Sequence, residues 1–293
     1  YAIIKFKRFF MAIIEFFRNN TNKTLDNIFL LISDLGSDII STLFIAVILW
    51  CFDKRLGQLT AFSAFVTFSI NGVIKDIFKI PRPLTKGIPA NAKAAESVMT
   101  SSGSYSYSFP SGHSQTSATV ATVICKAKKN RTIIIYSAAI VFLIGLSRVY
   151  LGVHYPSDVI CGWALGILIS LACYKLFDLY YDKRNFLYFS AAIIFLFAAI
   201  FWSEDTAKSL GGLMGFALGC VFEKKFVNYT IKDKGAFKLT LRLFIGAILL
   251  LLLRIFLKFI LPENILFFQY LRYAIIIFTG TGLYPYIFTK LGF

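Results

Sequence analysis

Long runs dominated by Leu, Ile, Phe, Val and Ala constrain this chain more than any other feature. They recur at 39–49, 132–146, 186–201 and 243–260. Runs of this kind are the mark of helices that cross a bilayer, each needing about 17–25 residues. Of the 293 residues, 57% are hydrophobic and 16% charged, where ordinary soluble domains average roughly 45–50% and about 25%. A water-soluble globule is therefore excluded, and the spans leave no length for a separate soluble domain.

The pattern predicts an all-α, polytopic integral membrane helical bundle, one membrane domain over 1–293. About nine transmembrane helices are expected, at 30–52, 58–78, 111–125, 132–151, 157–177, 186–202, 207–222, 239–261 and 264–288. Ahead of them, Lys5, Arg8, Glu15 and Arg18 share one face of an otherwise apolar stretch, which predicts an amphipathic helix in the membrane interface. One long loop, 84–109, is rich in Ser, Gly, Ala and Lys and holds a short helix near 91–99. Its segment 100–108 reads equally as a flexible linker or a substrate lid.

Lys and Arg number 31 against 15 Asp and Glu, a net charge of +16. In a soluble protein that excess would suggest nucleic acid; here it reports topology, since cytoplasmic loops of membrane proteins are rich in Lys and Arg. Threading the helices alternately puts Lys54, Arg55, Lys126 to Arg131, Lys175, Lys183, Arg184 and the cluster from Lys224 through Lys232 and Lys234 to Arg242 on one side. That side is expected to be cytoplasmic. The first 20 residues show no small-residue cleavage site, so no signal peptide is expected. Five cysteines sit in or beside apolar runs and imply neither a disulfide framework nor a metal site. Gly211, Gly215 and Gly219 make a ridge of small residues that lets another helix approach, within the chain or in a homo-oligomer. Arg254, Lys258 and Arg272 lie in apolar helices, where they either snorkel or meet an anionic headgroup.

The chemistry concentrates around the only two histidines, His113 and His154, each at a helix boundary on the side opposite the basic loops. His113 follows Pro110, Ser111 and Gly112 at a helix N-terminus, where free N–H groups and the dipole favour an anion and Ser111 is placed to cap. His154 precedes Asp158 by four residues, close enough for the carboxylate to fix the imidazole tautomer and leave the other nitrogen free to attack. Lys75 and Arg82 are seven residues apart, two turns of helix, so they face one spot if the helix continues that far. With Arg148 they make three cations around two histidines, a constellation suited to a tetrahedral dianion. In-line phosphoryl transfer needs just such positioning and charge stabilisation.

Lys75-x6-Arg82-Pro83, Pro110-Ser111-Gly112-His113 and Ser147-Arg148-x5-His154-x3-Asp158 resemble the complete three-part signature of the type 2 phosphatidic acid phosphatase family. The signature segments are 75–83, 110–113 and 147–158, within expected core helices over 28–178; further transmembrane helices would fill 186–293. The resemblance implies that His154 attacks phosphorus to form a phosphohistidine, assisted by Asp158. It also implies that His113 protonates the leaving oxygen and later activates water, while Lys75, Arg82, Ser111, Gly112 and Arg148 hold the phosphoryl oxygens. Neither metal nor cofactor is implied.

The partners implied are a phosphorylated lipid and membrane lipids, with undecaprenyl pyrophosphate, phosphatidylglycerol phosphate and phosphatidic acid as examples. The site would face the non-cytoplasmic side of a cell membrane. A weaker likeness to glucose-6-phosphatase, a nine-helix member of the same superfamily, rests on residues 210–215 and on Pro285-Tyr286; Asp158 departs from it. A sugar phosphatase, a lipid phosphotransferase and a non-catalytic lipid-binding or transport protein stand as alternatives.

Overall fold

A computed structural model describes residues 2–88, 90–197, 203–231 and 235–292, with 2–8 as backbone only. About 80% of the described chain is helical and none of it forms a strand. The expected end of the helix at 186–202, as well as Lys232 and Lys234, lies outside the described residues.

Helix α1 (Ala2–Asn19) turns into α2 (Lys23–Asp34), whose first turn is capped by Asn22 accepting the Leu25 N–H at 2.9 Å. The single helix expected over 30–52 instead starts at Lys23 and is broken. After Leu35, Gly36 and Ser37 the chain resumes as α3 (Asp38–Val47), with a bend of 48° between the two segments. The Ser37 hydroxyl, accepting from the Ile40 N–H, starts the new helix. Gly36 is needed at the bend because a Cβ there would lie 2.7 Å from Ile144 Cγ2 and 3.3 Å from His113 Cβ.

A π-helical turn, Ile48–Phe52, leads to α4 (Lys54–Phe78), which Asp53 caps through the Leu56 N–H. The long loop carries a 3-10 turn at Pro83–Lys86 and α5 (Ala92–Glu96), capped by Asn91. There follow α6 (Gly112–Lys128), α7 (Arg131–Tyr150), α8 (Pro156–Leu179), α9 (Arg184–Leu196), α10 (Glu204–Phe222), α11 (Ala236–Ile260), α12 (Leu266–Phe278) and α13 (Tyr284–Lys290). The last two are joined by a π-helical turn at Thr279–Leu283.

Length and composition alone single out five membrane-crossing helices among the described residues, or six if the bent pair counts as one span. Helix α6, 17 residues long, and helix α10 are not among them, and both carry polar or small side chains. Ser114, Gln115, Thr116 and Thr119 of α6 are buried, as are Thr206, Ser209 and the glycines of α10. Their polar and small side chains face protein, where a membrane helix can place them.

The chain divides into two compact units. In the first, Tyr1–Ser41 with Val73–Ile169, α1 buries Ile14 against Ile88, Val149 and Val159 while Phe9 and Phe16 stay exposed. Asp26 of α2 collects Arg18 at 2.8 Å, Thr21 at 2.6 Å and Asn91 at 2.9 Å, and Thr21 also bonds the Tyr150 hydroxyl. Phe29 stacks on Tyr150 at 4.0 Å. Gly162 and Gly166 bring α8 hard against α6: a Cβ would stand 2.8 Å from the Ser111 carbonyl oxygen and 2.3 Å from that of Gln115.

In the second unit, Thr42–Gly72 with Ser170–Phe293, the glycine ridge of α10 meets the segment from α12 to α13. A Cβ on Gly211 or Gly215 would come within 2.2 Å of the Tyr270 oxygen or 2.3 Å of the Ala274 oxygen, and one on Gly219 would strike Thr281 Oγ1. The ridge therefore serves packing within the chain. Lys258 and Arg272 both pair with Glu263, at 3.3 and 3.0 Å, which gives these charges a structural partner; Arg254 is exposed. Arg242 is buried, donating to the Trp50 carbonyl and lying over the Phe288 ring at 4.0 Å.

Candidate active site

All eight expected site residues belong to the first unit. Lys75 is buried in the last turn of α4. The helix does not continue to Arg82: Lys79 takes a left-handed φ of 48°, and the Ile80-Pro81-Arg82-Pro83 segment is extended at Arg82. Two prolines forbid the extra turn, so the two-turn spacing is not what joins Lys75 to Arg82. The extended segment nevertheless carries Arg82 inward, to 2% exposure.

There Arg82 is tied on every side. Its Nε donates to the Ser106 carbonyl at 2.6 Å, Nη2 to Ser106 Oγ at 2.8 Å and to the Tyr107 carbonyl at 3.2 Å, and Nη1 to the Val153 carbonyl at 2.9 Å. Nη1 also lies 3.0 Å from His154 Nε2. An arginine can only donate, so Nε2 accepts and the imidazole proton sits on Nδ1, a tautomer assigned from the network.

On the other edge of the ring, Nδ1 faces Asp158 Oδ2 at 3.4 Å. That oxygen accepts from Ser108 Oγ at 2.5 Å and from the Tyr155 N–H at 3.0 Å. Asp158 thus both faces the histidine and satisfies a free N–H at the start of α8. The turn between α7 and α8 is closed by Val153 N–H donating to the Arg148 carbonyl, with Gly152 at a left-handed φ of 77°. Burial, then the positive charges of Arg82, Arg148 and Lys75, hold the His154 imidazole well below its ordinary pKa. It is neutral at physiological pH, a form that keeps a ring lone pair.

Ser111 caps α6 by accepting from Ser114 N–H and Ser114 Oγ, while its own N–H donates to the Asp158 carbonyl at 3.1 Å. This bond joins the second motif to the third. His113, in the first turn of α6, is half-buried and close enough to bear electrostatically on His154. Arg148, 2% exposed, gives Nη1 to Ser33 Oγ at 2.5 Å, and its Nε and Nη2 have no partner among the described residues. Two buried N–H donors left open are costly unless an anion takes them.

Ser33, Ser106 and Ser108 hold the groups that the motifs supply, and sequence reasoning did not single them out. They bond partners 115, 24 and 50 residues away. No local spacing marks such contacts, although 106 and 108 fall in the segment left open as linker or lid.

Comparison with known proteins gives two matching patterns. The PAP2 superfamily pattern matches residues 55–182, and a second pattern, the transmembrane extension of PAP2 superfamily phosphatases, matches 207–293. The chain belongs to the PAP2 superfamily. Mouse sphingosine-1-phosphate phosphatase 1 is 27% identical, over 93% of this chain and 74% of its own. Phosphatidylglycerophosphatase B of Bacillus subtilis is 42% identical over 22% of this chain and 36% of its own. Undecaprenyl-diphosphatase of Sulfolobus acidocaldarius is 46% identical over 22% and 31%. The PAP2 domain contains Lys75 through Asp158, and α10 to α13 fall in the extension. The residues at 210–215 that carry the glucose-6-phosphatase likeness include Gly211 and Gly215, which seat α10 on α12.

Proposed function

We propose that this chain is an integral membrane phosphatase that releases phosphate from a lipid phosphate monoester or pyrophosphate. The observation that carries the reading is His154: buried, Nδ1 toward Asp158, and Nε2 within reach of a guanidinium fork. An incoming phosphoryl group competes for Arg82 Nη1 and takes the open donors of Arg148, which frees the Nε2 lone pair. Nε2 then attacks phosphorus, the bond to the lipid oxygen breaks, and His113 gives that oxygen a proton. In the second step His113 removes a proton from water, whose oxygen attacks the phosphohistidine; the P–N bond breaks and the electron pair returns to Nε2. Lys75, Ser111 and Gly112 complete the cradle for the phosphoryl oxygens.

A lipid substrate is supported by the names of all three relatives and by a site carried on membrane helices. The distribution of Lys and Arg supports a cell-membrane enzyme with this site on the non-cytoplasmic face. Phosphate release by detergent-purified protein from undecaprenyl pyrophosphate, phosphatidylglycerol phosphate, phosphatidic acid and glucose 6-phosphate, with His154→Ala as control, tests the reading. Release from a lipid that disappears in the variant is expected. Release only from glucose 6-phosphate, or release unaffected by the substitution, would overturn it; a His154-dependent phosphoenzyme that yields phosphate only to an added alcohol would make the enzyme a phosphotransferase.

A further inference from the structure

Away from the candidate active site, the second unit gathers positive charge without the carboxylates that would neutralise it. Helix α10 runs into a π-helical turn, Glu223–Val227, which buries Glu223 and leaves Lys224, Lys225 and Phe226 exposed. The Glu223 carboxylate accepts from Lys54 at 2.6 Å and from the Tyr229 N–H at 3.1 Å, so its charge is spent inside the protein. Lys225, Lys238 and Lys290 are exposed and have no ion-pair partner among the described residues.

Rings and carbonyls hold these lysines instead. Lys225 Nζ lies 5.2 Å from the centre of the Phe226 ring, and Lys290 Nζ 5.6 Å from that of Tyr286. Phe222 joins the two rings, at 4.9 Å from Phe226 and 6.5 Å from Tyr286. Lys238 donates to the Gly292 carbonyl at 2.9 Å, which ties it to the chain just beyond Lys290. A ring face or a carbonyl steadies an ammonium without cancelling its charge, and each ammonium has three protons to give. The lysines are therefore placed, and most of their donors stay open to an anion.

Their depth points to the occupant. Lys238 stands in the first turn of α11, and Lys290 closes the apolar segment Leu266–Lys290. Both segments are long and apolar enough to cross a bilayer, and the ends of such helices lie where hydrocarbon gives way to headgroups. Beside the lysines, Phe226 is 58% and Leu291 63% exposed. A free anion would use the ammoniums and leave this apolar surface bare. An acidic phospholipid covers both, with phosphate on the lysines and hydrocarbon against Phe226 and Leu291.

We propose that this surface is a site for an anionic phospholipid, its headgroup phosphate seated among Lys225, Lys238 and Lys290. The lipid is a bound ligand and not the substrate, since every residue of the candidate active site belongs to the first unit. It stabilises the second unit, as any ligand of the folded state does. The proposal stands independently of the phosphatase reading.

The test compares phosphatidylglycerol with phosphatidylcholine of identical chains, each added to the detergent-purified full chain. Retained lipid is counted by native mass spectrometry, and stability is read as the melting temperature. Wild-type protein should retain phosphatidylglycerol over phosphatidylcholine by at least about tenfold, as three basic side chains at a membrane surface allow, and should melt higher with it. In Lys225→Gln/Lys238→Gln/Lys290→Gln the ratio should fall to about one, with the melting temperature in plain detergent unchanged. Lys126, Lys128 and Lys129, exposed at the end of α6, supply a matched loss of three charges elsewhere. Lys126→Gln/Lys128→Gln/Lys129→Gln should keep the wild-type ratio. An equal fall in both triple variants would reduce the effect to overall charge and overturn the proposal, as would a wild-type ratio near one. Inorganic phosphate that raises the melting temperature as far as phosphatidylglycerol does would give the site to a free anion and overturn the lipid. Phe226→Ser, with every lysine kept, should lower the ratio about threefold through the lost ring contact; an unchanged ratio there would refute a built site in favour of diffuse attraction.

Discussion

Two glycine seams in this protein are alike in geometry and differ in what they hold. On α8, a Cβ at Gly166 would stand 2.3 Å from the Gln115 carbonyl oxygen; on α10, a Cβ at Gly215 would stand 2.3 Å from that of Ala274. The first seam sets the height of α6, whose opening residues are Ser111, Gly112 and His113. The second seats α12, which carries none of the proposed machinery. One packing device therefore serves reaction geometry in the first unit and cohesion in the second, and the same substitution should be felt in different observables.

The deepest break on the chemical side is His154→Ala, which should lower kcat by at least about 10⁴-fold and abolish the acid-labile phosphoenzyme. A trapped phosphoprotein in that variant would move the nucleophile elsewhere. Asp158→Asn comes next, at about 10²- to 10⁴-fold, since an amide there no longer holds the Nδ1–H tautomer as a carboxylate does. Its measurement is kcat beside an unchanged melting temperature. Gly166→Ala should follow with a fall of about 10²-fold in kcat, because a displacement of about 1 Å in a reacting group has that effect. Gly215→Ala should instead cost roughly 1–3 kcal/mol of stability through overpacking, read as a lower melting temperature with kcat per folded molecule close to wild type. Equal kcat losses in the two glycine variants would erase the contrast between the seams.

The smallest effect is a shift in a pH profile. Because burial and the cations lower the His154 pKa, the neutral, attacking form persists below pH 6.5, and the acid limb of kcat/KM should lie beneath that value. Replacing Lys75 with Met removes one of those charges, so the folded pKa rises and the limb moves to higher pH. A limb that moves down, or stays put, would show that Lys75 does not act on His154.

Much of the site was legible because its residue types are rare in such a chain: with two histidines among long apolar runs, their positions relative to Arg, Lys, Ser and Asp carry most of the information. What failed was local geometry. A seven-residue spacing suggested that Lys75 and Arg82 share a helix face, whereas Lys79 and the two prolines end the helix and an extended strand of chain delivers the guanidinium by another route. The break at Gly36 was equally hidden, since the glycine is required by Ile144 and His113, more than 75 residues away in sequence. The helices expected at 111–125 and 207–222 are α6 and α10, with their polar and small side chains buried in protein. The serines that brace Arg82, Arg148 and Asp158 became visible only once the chain was folded, because a serine bond across a turn leaves no periodic trace.

Arg82 Nη1 lies 3.0 Å from His154 Nε2, so in the proposed mechanism the lone pair meant for phosphorus is the one that accepts from the guanidinium. A phosphoryl group that draws the guanidinium to itself would thereby uncover its own attacker in the act of binding.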